Sequence, residues 1–172
     1  MITIDGGTGV ILNNGVEVAS EKMVDEWRVH TSKEYSSGVS TIDEYWERSD
    51  NNFSLIGKSM TESSGVFSFP ITGLFLIRAQ INFFSENGAM SYQGCLIEGT
   101  TDNSTYVTLG GNYASTSGTN YYTGSDAYCV FDVIDTSTHK VRLRTNFPGT
   151  GRIQGSTAYQ RTGIHFSRIG NT

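Results

Sequence analysis

Four carboxylates crowd one short stretch of the chain, Asp43, Glu44, Glu47 and Asp50. Acids grouped this way can bind calcium through their oxygens or serve as the acid and base of glycoside hydrolysis. This run lacks the D-x-[DN]-x-[DN]-G order of a calcium loop, and Asp43, Glu44 and Glu47 surround Trp46, so it reads as a solvated rim. The histidines, His30, His139 and His165, lie far apart and fit no H-E-x-x-H or Cys/His spacing. Cys95 and Cys129 have no C-x-x-C partner and sit in the strand-like runs Gln93–Glu98 and Ala127–Ile134, where buried free thiols are expected. The glycine runs Gly6-Gly7-Thr8-Gly9 and Gly149-Thr150-Gly151 neither end in Gly-Lys-Ser/Thr nor open a helix, so they read as loops and not phosphate cradles. A G-x-S-x-G nucleophile elbow does not occur. Without a clustered nucleophile, base or metal set, the expectation is a protein that is not an enzyme and takes no metal or cofactor.

The elements that must carry any site are strands. Gly, Ser, Thr and Asn are abundant while charged residues make up only 17%, a mixture that disfavours helix interiors and suits short strands with many turns. Leu74–Phe84 alternates cleanly, with Phe75, Ile77, Ala79, Ile81 and Phe83 on one face and Arg78, Gln80 and Asn82 on the other. Val141, Leu143 and Phe147 alternate with Arg142, Arg144 and Asn146; Cys129, Phe131 and Val133 form a third inward row, and Ile164 with Phe166 a fourth. That last pair places His165 on the outward face. Shorter strand candidates are Glu26–Thr31, Ile42–Trp46, Gly65–Phe69, Met90–Glu98 and Tyr106–Gly110. So many short strands predict an all-β antiparallel sandwich.

Ahead of this body, Thr8–Leu12 and Val16–Ala19 flank Asn13-Asn14-Gly15, a tight-turn signal, and predict a short N-terminal β-hairpin. The division expected is an arm over residues 1–25 and a head over 26–172. An isolated hairpin is marginal in water, so the arm, through Ile4, Val10, Ile11, Leu12, Val16 and Val18, is expected to anchor on a larger scaffold. The net charge of −5, from 12 basic and 17 acidic residues, offers no basic stripe for nucleic acid. No stretch approaches the roughly 20 apolar residues of a membrane-spanning helix, and the N-terminus lacks the regions of a signal peptide. Neither nucleic-acid binding nor membrane insertion is therefore expected.

Gly65-Val66-Phe67-Ser68-Phe69-Pro70-Ile71-Thr72-Gly73-Leu74-Phe75-Leu76-Ile77 resembles the G-x-F-x-F-P-x-T-G-x-Y/F-x-F strand pair of the complement C-one-q globular-head and tumour necrosis factor-like family. Pro70 ends one strand because it cannot donate to a ladder, and Gly73 allows a tight corner into the next. The stretch from Ile153 through Gly163-Ile164-His165-Phe166 to Ile169 is similar to the family's polar loop and closing strand. Phe75 stands where tyrosine is common, and no collagen-like stalk is present. The resemblance, over about Trp27 to Ile169, implies a jelly roll that associates as a homotrimer. Tyr92 and Tyr159, aromatics with a polar tip, are candidates for its interface.

The opening Ile2–Gly15 is similar to short β-segments at the start of phage fibre and decoration proteins. That likeness implies assembly in a host cytoplasm and a place on a bacteriophage virion surface, with a major capsid protein or another virion scaffold protein as partner. The short segment ahead of the jelly roll has neither heptads nor fibrous repeats, which favours a capsid decoration or cement protein over a tail fibre. The alternative is a receptor-binding tip whose loops near Gly99–Thr105 and Thr116–Ser125 contact host surface glycan or protein through Tyr113, Tyr121 and Tyr122.

Overall fold

The computed structural model describes residues 2–4, 11–13, 16–19, 21–51 and 55–172. Strand follows strand: β1 (Ile2–Ile4), β2 (Ile11–Asn13), β3 (Val16–Ala19), β4 (Met23–Val29), β5 (Lys33–Tyr35), β6 (Gly38–Thr41), β7 (Trp46–Arg48) and β8 (Thr61–Ser63). They continue as β9 (Val66–Ser68), β10 (Gly73–Ser85), β11 (Met90–Thr100), β12 (Val107–Thr116), β13 (Tyr121–Val133), β14 (Lys140–Phe147), β15 (Gly151–Ile153) and β16 (Gly163–Gly170). No helix occurs among the described residues.

Strands β4–β16 form two antiparallel sheets packed face to face, as expected for a jelly-roll sandwich, and β1–β3 form a separate three-stranded sheet. The seven-stranded sheet runs β5-β15-β10-β16-β4-β7, with β13 on the other side of β10. The six-stranded sheet runs β12-β11-β14-β9-β8, with β6 also paired to β14. The alternation in β10 does what the pattern predicts: Phe75, Ile77, Ala79, Ile81 and Phe83 are buried and their neighbours are not. β13, β14 and the inward residues Ile164 and Phe166 of β16 follow the same rule.

The Gly65–Ile77 stretch supplies the centre of the core. Phe67 is wholly buried between Trp27, Trp46 and Phe166, with ring centroids 5.7, 5.0 and 5.3 Å away. Phe69 stacks 4.7 Å from Phe75 and 5.9 Å from Phe131, so one short strand ties both sheets together. Truncating such a ring to alanine costs about 3–5 kcal/mol. Both flanking glycines are required. Gly65 has φ +79° and a Cβ there would lie 2.3 Å from the Ile42 carbonyl oxygen; Gly73 has φ +140° and its Cβ would lie 2.6 Å from that of Gly170.

Three expected strands shift. The strand expected at Glu26–Thr31 starts at Met23, and residues 23–25, assigned by sequence to the arm, pair with Phe166–Arg168 of β16. Ile42–Trp46 is a turn between β6 and β7: Tyr45 takes φ +65°, and the Trp46 indole donates to the Ile42 carbonyl at 2.8 Å. Tyr106–Gly110 becomes the start of β12, which continues to Thr116.

At the edge, β4 is fastened by buried charge. The wholly buried Asp25 carboxylate accepts from Arg48 Nε at 2.9 Å, Trp27 Nε1 at 3.1 Å and the Met60 amide at 2.8 Å. These bonds tie Arg48 of β7 and the Met60 backbone to β4.

In the N-terminal segment, β2 pairs antiparallel with both β1 and β3. Ile4, Ile11, Leu12, Val16 and Val18 fall on these strands; Val10 and the Asn14-Gly15 turn lie outside the described residues.

The head has two distinct ends. The start of β4 and the end of β16 lie beside the start of β10, so both chain ends of the head leave from one end, called proximal here. The β10–β11, β12–β13 and β14–β15 turns lie at the other, distal end.

Candidate functional site

The outer face of the seven-stranded sheet is set by the even-numbered residues of β10. Register places Leu76 beside Val130, Arg78 beside Tyr128, Gln80 beside Asp126 and Phe84 beside Tyr122 on β13. On the other side Arg78 meets His165 of β16, which in turn faces Glu26 of β4. The face is therefore graded. Near the proximal end Leu74, Leu76, Val130 and Ile134 surround one acid, Asp132, which lies across from Leu74. Midway it carries the row Glu26, His165, Arg78 and Tyr128. Distally it is aromatic and polar, with Phe84 stacked 4.7 Å from Tyr122.

Large side chains on this face are left in water: Tyr128 is 73% exposed, Ile134 66%, Tyr122 59% and Val130 57%. A contiguous patch of this kind marks an interaction surface. Two clefts indent it. The larger, about 610 Å³, lies among Glu26, Arg78, Asp126, Tyr128 and His165. The smaller, about 270 Å³, lies among Asn82, Tyr122, Tyr159 and Arg161. The Arg161 guanidinium sits 5.2 Å from the Tyr159 ring and 5.9 Å from that of Tyr122, and its Nε donates to Tyr159 Oη at 2.8 Å.

On the outer face of the six-stranded sheet charged side chains bind one another, while Val39 and Tyr113 stay exposed. Glu98, nearly buried, accepts from Arg142 Nε at 2.8 Å and Arg144 at 3.0 Å. The Arg142 guanidinium covers the Tyr106 ring at 3.9 Å, and Lys140 donates to Ser68 Oγ at 2.9 Å. Tyr92 packs edge-on against Tyr113 on this face, centroids 6.0 Å apart.

The residues expected from sequence to line an interface, Tyr92 and Tyr159, thus lie on different faces; only Tyr159 borders the graded one. The tyrosines expected to contact a ligand also diverge. Tyr113 is on the six-stranded sheet, Tyr122 on the graded face, and Tyr121 at the distal end against Gly118. The loops near Gly99–Thr105 and Thr116–Ser125 sit at opposite ends, since the Asn103 amide bonds the Thr138 carbonyl at the proximal end.

The acidic group is divided between two cations. Asp43 and Glu44 pair with Lys33 at 2.9 and 3.1 Å, while Glu47 and Asp50 pair with Arg28 at 2.7 and 2.8 Å. No group of three or more metal-ligating side chains occurs among the described residues. Cys95 and Cys129 are buried free thiols, and burial pushes them up to about 12 and about 11. His139 is buried against Phe131, and His165 faces outward with its Nε2 2.7 Å from Ser167 Oγ.

The distal end holds a feature that no sequence motif signals. A pocket of about 820 Å³ opens between the β10–β11 turn, the end of β12 and the β14–β15 turn. Its contributors are Asn87–Ser91, Ser115-Thr116 and Pro148–Thr150, brought together from turns far apart in the chain.

No family model and no curated protein sequence matches the chain. Solved structures do. Murine APRIL at pH 5.0 aligns with TM-score 0.64 at 13% identity, over 86% of this chain and 99% of that one. Eiger TNF from S. frugiperda aligns with TM-score 0.67 at 12% identity, over 89% and 96%. Murine APRIL at pH 8.5 gives 0.60 at 14% identity, over 86% and 99%. With its two sheets and graded outer face, the head has the jelly-roll fold of tumour necrosis factor-like proteins.

Proposed function

We propose that the chain is a homotrimeric structural protein of a bacteriophage virion surface, a decoration or cement protein docked by its N-terminal arm with the head projecting. The observation that carries the trimer is the graded face. It leaves Tyr122, Tyr128, Val130 and Ile134 in water, whereas on the opposite face Glu98 is held by Arg142 and Arg144. Three copies meeting through this face would bury its aliphatic half and bring the Glu26–His165–Arg78 row close to the neighbouring subunit. A three-fold assembly is also what the tumour necrosis factor-like resemblance implies. Placement on a phage rests on the opening segment's similarity to fibre and decoration proteins. Partners on the particle are the major capsid protein or another scaffold protein.

Removing residues 1–20 is expected to abolish incorporation into particles and leave a folded, self-associated head. Incorporation at wild-type level, scored by electron microscopy of purified particles, contradicts the anchoring role.

A second reading, a tail-fibre or spike tip that binds the host surface, is favoured by one observation. The pocket lies at the end of the head opposite to its chain termini, where an arm-anchored molecule presents its surface outward.

A further inference from the structure

We propose that the distal pocket is a binding site for a neutral carbohydrate. The inference rests on the second of the two readings above and gives that tip its ligand class. The volume, about 820 Å³, falls within the range of small-ligand sites. Its polar wall consists of an amide and hydroxyls, from Asn87, Ser91, Ser115, Thr116 and Thr150. Ala89 and Pro148 add apolar surface suited to the C–H face of a sugar ring.

No charged side chain lines it. Glu86 and Arg152, in the flanking strands, are spent on each other in an ion pair. An anionic ligand would lose hydration here without gaining a counter-charge, whereas hydroxyl groups exchange water bonds for protein bonds.

The wall is organised in advance. The buried Ser85 hydroxyl lies within hydrogen-bonding distance of the Gly88 and Gly118 carbonyl oxygens, and the Asn120 amide donates to the Ser85 carbonyl at 2.6 Å. One residue therefore pins both neighbouring turns. Thr116 Oγ1 accepts from the Met90 amide at 3.2 Å and from Gln93 Nε2 at 3.4 Å. Neither bond uses the hydroxyl proton of Thr116, which is free to donate to a ligand oxygen. Gln93, wholly buried outside the lining, helps to fix this hydroxyl by donating to it through Nε2.

No aromatic ring lines the pocket, so stacking is missing and affinity per site is weak, on the order of millimolar. Three pockets facing the same way on a trimer would recover affinity through multivalency.

Gly149 provides the test. A Cβ added there meets nothing within 4 Å and its φ is ordinary, so Gly149→Leu adds bulk at the pocket without a stacking ring and without disturbing the fold. Saturation-transfer NMR on the full-length protein would use maltotriose, lactose and chitotriose against 3′-sialyllactose, inorganic phosphate and a tri-alanine peptide. The expected result is transfer to at least one neutral saccharide, weakened tenfold or more in Gly149→Leu, whose mass and melting temperature match the wild type. Absence of transfer to all three, preference for the charged probes or the peptide, or an unchanged signal in the variant overturns the proposal. Binding of labelled protein to host cells, measured in parallel, separates the two levels. Cell binding that survives Gly149→Leu overturns the pocket and spares the receptor-binding reading; wild-type protein that ignores the cells overturns that reading, and the NMR result still decides the pocket.

Discussion

The two outer faces of the sandwich are built by the same strand alternation, yet they treat their exposed residues in opposite ways. On the six-stranded sheet, Glu98 is held by Arg142 and Arg144, and Arg142 in turn roofs Tyr106. Charged side chains there are tied to one another across adjacent strands, although Val39 and Tyr113 of the same sheet stay exposed. On the seven-stranded sheet, Tyr128, Val130 and Ile134 stand out from β13 and its end, and the register sets Val130 against Leu76 and Tyr128 against Arg78. That face leaves apolar area uncovered, which is what a surface does when its counterpart is another molecule.

The largest effect should come from breaking the uncovered face. Val130→Glu places a carboxylate beside Leu76, on a side chain 57% exposed in the single chain, so folding is tolerated. Within a closed interface an unpaired charge costs about 3–5 kcal/mol, a weakening of roughly a hundredfold to several thousandfold. Sedimentation at micromolar concentration should show the mass fall to that of one chain.

Next in size is an edit that touches neither face directly. Asp25→Ala removes the acceptor shared by Arg48, Trp27 and Met60, and should lower stability by about 3–5 kcal/mol in urea unfolding. The outer face of the six-stranded sheet is expected to be less sensitive. Glu98→Gln weakens two partly buried ion pairs and should cost about 1–2 kcal/mol while leaving the oligomer mass unchanged. Smallest of all, Tyr92→Ala on the same face should alter stability by less than about 1 kcal/mol and leave assembly intact. Loss of the oligomer in Tyr92→Ala would place the interface on the wrong sheet.

Much of the fold was legible because it depends on local periodicity. Phe75, Ile77, Ala79, Ile81 and Phe83 announce a half-buried strand without reference to any partner, and the Phe67–Phe69 pair with its two glycines announces the corner that precedes it. Ile42–Trp46 misled because a turn there buries Ile42, half-buries Trp46 with its indole on the Ile42 carbonyl, and leaves Tyr45 exposed. Arg28 reads as an ordinary polar strand residue and Asp25 as the end of the arm, since the groups that bury them, Arg48, Met60, Glu47 and Asp50, come from a later segment. The tyrosines were visible as exposed aromatics, but which sheet each decorates follows from register, and Tyr92 and Tyr159 part company on that account. The distal pocket left no motif because three turns from distant parts of the chain assemble it, each with ordinary turn composition.

The central claim is that the graded face of the seven-stranded sheet is covered by further copies of the same chain. Multi-angle light scattering on the full-length protein at micromolar concentration tests it most directly. A mass three times that of the 18.8 kDa chain is predicted. A single species at the mass of one chain, unchanged on raising the concentration tenfold, contradicts it.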